Sequence, residues 1–300
     1  MFDFDLQAYL KEKGNLIDLA LDRVLPPLQI LGLGRLVEAM RYSLLAPGKR
    51  LRPVLCLAGA EAVGGSASMA MPAALALEII HAYSLVHDDL PAMDNDDLRR
   101  GLPTNHVVYG EGLAILAGDG LLTLAFEILA QAGVDHAADP KRILKTMVVI
   151  AQAAGYRGMV GGQALDLALE GQPADEEQIA SLHAYKTGAL IAAAVTSGAI
   201  MAGADQEQIA WLHGYGRKLG LAFQIVDDIL DIEGKTEILG KKVGVDQKRG
   251  KTTYPKVVGL TRAKAMAQRL LEEASSDLAD RGSSVEPLRA ICRYLLTRKK

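Results

Sequence analysis

The sequence predicts an all-α domain. Apolar residues recur at spacings of three and four along almost the whole chain, and alanine and leucine, two strong helix formers, are abundant. No segment alternates cleanly between apolar and polar residues, as a half-buried strand would. The 300 residues show no linker composition, low-complexity tract or short repeat, so we expect residues 1–300 to form one domain.

In chain order, helices are predicted at 5–12, 28–44, 52–63, 68–89, 111–132, 140–153, 157–169, 175–200, 206–232, 261–281 and 285–297. Helix starts are indicated by side chains that can accept a hydrogen bond from the first turn, namely Asp175, Asp205 and Thr261. Polar connections at 46–53, 90–106 and 233–255 separate some of these helices and carry dense charge. The functional residues are therefore expected near the connections.

Composition excludes several classes of partner. The chain has 33 basic and 36 acidic residues, a formal charge of −3, which gives no overall field for nucleic acid or an anionic membrane. Charged residues or histidine interrupt the longest apolar stretches, and the N-terminus is acidic, so we expect neither a membrane span nor a secretory signal. A cytoplasmic protein is expected. Cys56 and Cys292 are expected as buried thiols rather than as a disulfide.

One acidic cluster lies in the apolar stretch FQIVDDILD at 223–231. Asp227 and Asp231 are four positions apart and so share one helical face, with Gln224 a turn earlier on that side. An exposed acidic face is the alternative, but the apolar neighbours favour a cavity. Carboxylates grouped in a cavity need a cation, and oxygen ligands without His or Cys suit Mg²⁺, which shares its coordination with substrate phosphates.

A second charged stretch, HDDLPAMDNDDLRRG at 87–101, also follows an apolar helix. Asp88 and Asp89 close that helix, and Pro91 ends or kinks it. Asp94 is six positions after Asp88, which is not helical spacing, so a bulged turn must bring them together if both bind metal. The rest of the turn is expected to be solvated: Asn95, Asp96 and Asp97.

Basic residues near these acids indicate an anionic ligand. Arg99 and Arg100 cannot ligate a metal, but their planar guanidinium groups suit bidentate contacts with phosphate. Acids and arginines together therefore suggest a metal-bound diphosphate. Lys186 lies among small apolar residues and is expected to face the same cavity. By its spacing from Asp88, His81 fits either a core histidine or a ligand. Other basic residues stand in loops: Lys49, Arg50, Arg52, Lys241, Lys242, Lys248, Arg249 and Lys251.

These motifs resemble those of the trans-isoprenyl diphosphate synthases, most closely the bacterial farnesyl diphosphate synthases. The resemblance covers nearly the whole chain, through GKRLRP at 48–53, HAYSLVHDDLPAMDNDDLRRGLPTNH at 81–106, YKTGAL at 185–190, FQIVDDILDIEG at 223–234 and LGKKVGVDQKRGKTTYP at 239–255. It implies the isoprenoid synthase fold, a bundle of about ten or more helices around a deep central cavity, usually as a homodimer. It also implies condensation of an allylic diphosphate with isopentenyl diphosphate.

The resemblance assigns roles by position. Three Mg²⁺ ions, which Mn²⁺ could replace, would be held by Asp88, Asp94 and Asp227, supported by Asp89, Asp228 and Asp231. The allylic diphosphate would contact Arg99, Lys186, Lys241 and Lys251, and near the developing cation would lie the Lys186 carbonyl, Thr187 and Gln224. Isopentenyl diphosphate would be held by Lys49, Arg52, His81 and Arg100. The basic C-terminal TRKK would either close over that substrate or fray.

Product length depends on the depth of the cavity. Helical spacing places Ser84 directly below Asp88 and Tyr83 one position round, where a growing chain would point. Tyr83 five positions before Asp88, with two extra residues before Asp94, matches the bacterial farnesyl pattern and predicts a fifteen-carbon product. A twenty-carbon product is the alternative, because Ser84 is small. Rival functions are a terpene cyclase and a non-catalytic partner subunit, but both acidic motifs and Lys186 are present.

Overall fold

The computed structural model describes residues 4–28, 32–135, 138–233 and 252–297. Its helices are α1 Leu6–Val24, α2 Gly34–Leu44, α3 Leu51–Ala62, α4 Ala67–Asp88, α5 Asn105–Tyr109, α6 Glu111–Val134, α7 Pro140–Ala154, α8 Met159–Leu169, α9 Glu176–His183, α10 Ala189–Ala202, α11 Gln206–Glu233, α12 Tyr254–Val258, α13 Leu260–Asp277 and α14 Glu286–Thr297. A π-helical turn, Ala184–Gly188, joins α9 to α10. The all-α prediction is confirmed.

Helix α10 forms the centre of the bundle because it is apolar on all sides, with every residue from Leu190 to Met201 buried. It packs against α3, α4, α7 and α11. Its contact with α3 is close because glycines face the opposing backbone: a Cβ at Gly198 would overlap the Cys56 carbonyl, and one at Gly59 would overlap Val195. Cys56 and Cys292 are buried free thiols, as expected.

Most predicted helices are present, with some errors at their ends. Helix α1 runs to Val24 instead of ending near residue 12, and the helix predicted from 28 begins at Gly34. Asp175 caps α9 by accepting from the Gln178 N–H, as expected, but the predicted start at Thr261 is wrong because that helix begins at Leu260, after Gly259.

One small feature, the turn region after α4, contains β-structure that was not predicted. A short antiparallel hairpin pairs β1, Leu98–Arg99, with β2, Leu102–Pro103. It turns at Arg100 and Gly101, which both have positive φ angles. By length and composition alone, α4 and α6 pass as candidate membrane spans, a test that buried core helices also pass, and 67% of the apolar window of α4 is buried. Helix α4 packs against α3, α6 and α10.

Candidate active site

The chain reverses immediately after α4 and brings Asp94 back to the end of that helix. The Asp94 N–H donates to the Asp88 carbonyl over 2.8 Å, and Asn95 donates to the Leu90 carbonyl. Asn95 makes the reversal with a φ of 52°, a left-handed conformation that asparagine tolerates. The bulged turn that the sequence required is therefore present. Asn95 and Asp97 are exposed, in agreement with their expected role in a solvated turn.

The acids at this turn are crowded and differ in their partners. Burial raises the pKa of Asp88 to about 6, and Asp94 and Asp89 add to the effect, while Lys186 and Arg99 oppose it. Asp89 is buried, and its carboxylate accepts hydrogen bonds from Nε and Nη2 of Arg99, with N–O distances of 2.6–2.9 Å. Asp89 thus orients Arg99 beside Asp88, which fits the supporting role that the resemblance gives it.

A basic cluster lies beside His81 and Glu78, two to three turns further back along α4. Arg50 is structural: it bonds buried Glu78 at 2.9 Å and Asp18 at 2.7 Å. Arg52 differs, because its buried Nε has no hydrogen-bond partner and burial lowers its pKa to about 10. Burial, with the charges of Arg52 and Arg100, lowers the pKa of His81 well below its ordinary value. His81 therefore lies within the electrostatic reach of Arg52 and Arg100, and its role as a ligand stays a prediction.

Lys186 lies in the π-helical turn, a kind of irregularity that often marks functional sites. Its Nζ donates to Asp166 of α8 over 2.6 Å. Asp166 also lines a cleft with Asp94 and Thr252, so the lysine is held at the edge of the acidic turn. The next residue, Thr187, donates to Gln224 Oε1 over 2.9 Å, which connects the turn to α11. The predicted grouping of Lys186, Thr187 and Gln224 is therefore present.

The acids of α11 fall into two environments. Asp227 and Asp231 are partly exposed on one face, as their spacing predicted. Asp228 is buried, and both of its oxygens accept protein hydrogen bonds, from His183, Gln224 and the Tyr254 N–H. These hydrogen bonds fit the supporting role that the resemblance gives Asp228, and direct coordination of a metal by this residue stays a prediction.

The remaining donor set fits Mg²⁺. It consists of carboxylate oxygens, and burial, with the charges of Asp94 and Asp89, raises the pKa of Asp88, so a bound cation would stabilise the ionised form of this carboxyl. In the part of the chain that the structure describes, no three His, Cys, Asp or Glu side chains lie close enough to hold an ion alone.

The two residues expected to set product length lie on different sides of α4. Ser84 is partly exposed, one turn before Asp88, and donates to the His81 carbonyl over 2.9 Å. Tyr83 is only 6 % exposed, and its ring meets His87 edge-on at 5.8 Å. His87 in turn lies 3.0 Å from the Ile115 carbonyl of α6. Tyr83 therefore belongs to the wall between α4 and α6.

Some site residues could not be placed or were not predicted. Lys241, Lys251 and the end of the C-terminal tail lie outside the described residues. Lys49 is exposed and precedes Arg50 in the chain. The sequence did not predict Asp166, Glu78 or His183. For Glu78 and His183, the sequence offered one indication, a polar side chain within an apolar helical stretch. Gln163, whose amide atoms are buried without a partner, was also not predicted.

The model of the polyprenyl synthetase family matches residues 34–292 of the chain. The chain belongs to the polyprenyl synthetase family. It is 46% identical over 300 residues to the heterodimeric geranylgeranyl pyrophosphate synthase large subunit 1, chloroplastic, of Arabidopsis thaliana, covering 99% of this chain and 80% of that protein. The resemblance noted in the sequence is thereby confirmed.

Solved structures of this family share the fold. An FPP/GFPP synthase from Zymomonas mobilis superposes with a TM-score of 0.87 at 39% identity, covering 98% of this chain and 99% of that one. A geranyltransferase from Helicobacter pylori, described in complex with magnesium and isoprenyl diphosphate, gives 0.87 at 33% identity, covering 99% and 100%. The chain is thus a prenyltransferase of the trans-isoprenyl diphosphate synthase class with the isoprenoid synthase fold.

Proposed function

We propose that this polyprenyl synthetase condenses isopentenyl diphosphate with allylic diphosphates, beginning with dimethylallyl diphosphate, and releases inorganic diphosphate. The observation that carries the proposal is the separation of two kinds of anion site. One combines crowded carboxylates with Arg99 and Lys186, which suits a metal-bound diphosphate. The other, around Arg52, Arg100 and His81, has Glu78 as its buried acid and suits a metal-free diphosphate.

The residues of the first site match the charge that develops in the reaction. When the allylic carbon–oxygen bond breaks, the leaving diphosphate gains negative charge, and Arg99 and Lys186 are placed to stabilise it. Bound Mg²⁺ would supply further positive charge to the same oxygens. Asp88, Asp94, Asp227 and Asp231 are the proposed ligands. Buried apolar helices around the acids would exclude water, which would otherwise trap the allylic cation.

Product length is the finer part of the proposal. The named relatives are mostly geranylgeranyl and geranylfarnesyl synthases, which favours the twenty-carbon alternative over the fifteen-carbon product expected from the sequence. We therefore propose geranylgeranyl diphosphate as the main product. Farnesyl diphosphate, the product of a geranyltranstransferase, is the second candidate, because the bulky Tyr83 is buried in the wall near Asp88.

The test is direct. The protein would be incubated with Mg²⁺, labelled isopentenyl diphosphate and dimethylallyl diphosphate, and the dephosphorylated products would be sized by chromatography. A twenty-carbon product supports the main proposal and a fifteen-carbon product supports the second. Absence of any elongated product would contradict both. Replacing Mg²⁺ with Mn²⁺ in the same assay tests the expected substitution.

The role of Tyr83 has its own test. Tyr83→Ala opens the wall between α4 and α6, so the product distribution should shift by at least one five-carbon unit towards longer chains. Tyr294→Ala, at a partly exposed position of α14, is the control and should leave the distribution unchanged. An unchanged distribution in Tyr83→Ala would remove this residue from the control of length.

The proposal also includes a homodimer in the cytoplasm. Apolar side chains of the packed helices α6 and α7 are exposed, including Leu116 at 54% and Leu144 at 63%. Exposed apolar patches commonly mark protein interfaces. For the compartment, the chloroplastic Arabidopsis relative shows that the family also works outside the cytoplasm.

A further inference from the structure

Asp228 is the centre of a buried hydrogen-bond network behind the acidic site. Its Oδ2 accepts from the Tyr254 N–H over 2.8 Å and lies 2.8 Å from His183 Nε2. Its Oδ1 accepts from Gln224 Nε2 over 3.1 Å. The residue is 4% exposed, whereas its neighbour Asp227 is partly exposed on the adjacent face. Two adjacent aspartates therefore face different surroundings.

The network determines which way the Gln224 amide points. Asp228 Oδ1 accepts from Gln224 Nε2, so the side of Gln224 that faces Asp228 is its NH₂ group. Oε1 then faces Thr187 and accepts the Thr187 hydroxyl over 2.9 Å. Because the hydroxyl hydrogen is engaged there, the Thr187 oxygen keeps its lone pairs for other contacts. Both groups thus present oxygen rather than hydrogen next to Lys186.

The same carboxylate fixes the chain on its other side. The Tyr254 N–H is a backbone donor and cannot reverse its polarity. The Tyr254 ring stacks on His183 at 6.3 Å, and its hydroxyl donates to Glu176 of α9 over 3.0 Å. Asp228 therefore joins α9, α11 and the start of α12. Any replacement at position 228 must still provide an acceptor for Tyr254.

We propose that Asp228 is a positioning residue: through Gln224 it directs the oxygens of Gln224 and Thr187 towards the positive charge that forms on the allylic substrate. The inference rests on the proposed prenyl transfer and assigns Asp228 a part in it that is distinct from metal binding. Neutral oxygen dipoles held in advance stabilise a cation without forming a bond to it.

Asp228→Asn tests the proposal because its expected consequence is specific. Oδ1 of the new asparagine must face the Tyr254 N–H, so its NH₂ group faces Gln224. Gln224 must then rotate its amide and point NH₂ at Thr187, which turns the Thr187 hydroxyl hydrogen away. We expect kcat to fall by about tenfold or more, as for the loss of one oriented dipole. The KM values and the Mg²⁺ concentration for half-maximal activity should stay within about twofold of wild type.

A second substitution should restore the original polarity. In Asp228→Asn with Gln224→Glu, the glutamate accepts from the new NH₂ group with one oxygen and from Thr187 with the other. We expect the pair to recover most of the lost kcat. In EDTA, without metal or substrate, Asp228→Asn should lower the melting temperature and the paired variant should recover it. Asp227→Asn is the matched control: it should raise the Mg²⁺ concentration needed for half-maximal activity without lowering the metal-free melting temperature, and Gln224→Glu should not rescue it.

Two results would overturn the proposal. One is a rise in the Mg²⁺ requirement of Asp228→Asn as large as that of Asp227→Asn, which would make Asp228 a ligand. The other is a paired variant that regains its melting temperature but not its kcat, which would make the role purely structural. Failure of the proposed function is separate, because it would appear as no elongated product from the wild-type protein.

Discussion

Arg100 shows how single residues shape the basic site. Its backbone is in the left-handed region, with a φ of 54°, and its Nη1 donates to the Pro47 carbonyl over 2.7 Å. The guanidinium lies so close to Gly48 that a Cβ there would overlap it. Position 48 therefore requires glycine for steric reasons, because a side chain there would occupy the space of Arg100, which comes from the distant hairpin.

Gly48→Ala should displace the Arg100 guanidinium. A charge-assisted hydrogen bond is worth about 1.5–3 kcal/mol, so we expect the KM for isopentenyl diphosphate to rise about tenfold or more, with little change in the KM for the allylic substrate. Steady-state kinetics with each substrate varied in turn would measure this. Gly112→Ala, where a Cβ meets no atom within 4 Å, is the control. Equal changes in both KM values would contradict the prediction.

For single residues, the sequence predicted which side chains share a helical face better than it predicted their hydrogen-bond partners. Spacing placed Asp227 and Asp231 on one face, and the structure agrees. It could not show that Asp228 is saturated by Tyr254 and His183, because those partners come from helices 26 and 45 positions away. Long-range contacts of this kind leave no periodic signal in a single sequence.

Among the elements, α8 and the π-helical turn form a close pair. A Cβ at Gly162 would overlap the backbone of Lys186, so the helix approaches the turn directly at that glycine. Asp166, one turn further along α8, reaches Lys186 Nζ from this position. The spacing between the two backbones thus sets the position of a charge in the site.

Gly162→Ala should push α8 away from the turn. We expect a loss of about 1–3 kcal/mol in the free energy of unfolding and a fall in kcat, because backbone atoms cannot move aside as a side chain can. Denaturant unfolding and steady-state assays would measure both effects. Gly14→Ala on α1, where a Cβ meets nothing within 4 Å, should instead be neutral or stabilise the protein by up to about 1 kcal/mol. A fully active, equally stable Gly162→Ala would refute the argument.

The elements themselves were largely predictable because most of the helices have a buried face that repeats every three or four residues. The short hairpin after residue 97 and helices α5 and α12 were missed, since two to five residues cannot establish a period. The π-helical turn inside the predicted helix 175–200 was also missed, because its local sequence remains compatible with an α-helix.

For the whole molecule, the exposed apolar face of α6 and α7 is the basis of the proposed dimer. Leu116→Asp would place a charge in that interface, where burial without a partner is costly. We expect the variant to sediment as a monomer at micromolar concentration. Leu19→Asp on α1, at a position of similar exposure (61%), should remain dimeric. A wild-type protein that is already monomeric would disprove the dimer.

The ion pairs Arg99–Asp89 and Lys186–Asp166 have a consequence for selectivity. Basic side chains that already form ion pairs attract a simple anion only weakly, because the anion must replace the carboxylate partner in order to bind. Free phosphate brings no cation to compensate the acids it would displace. A diphosphate that arrives with divalent metal satisfies acids and bases together. The charge balance of the pocket would therefore discriminate against the cell's abundant phosphate without any steric barrier.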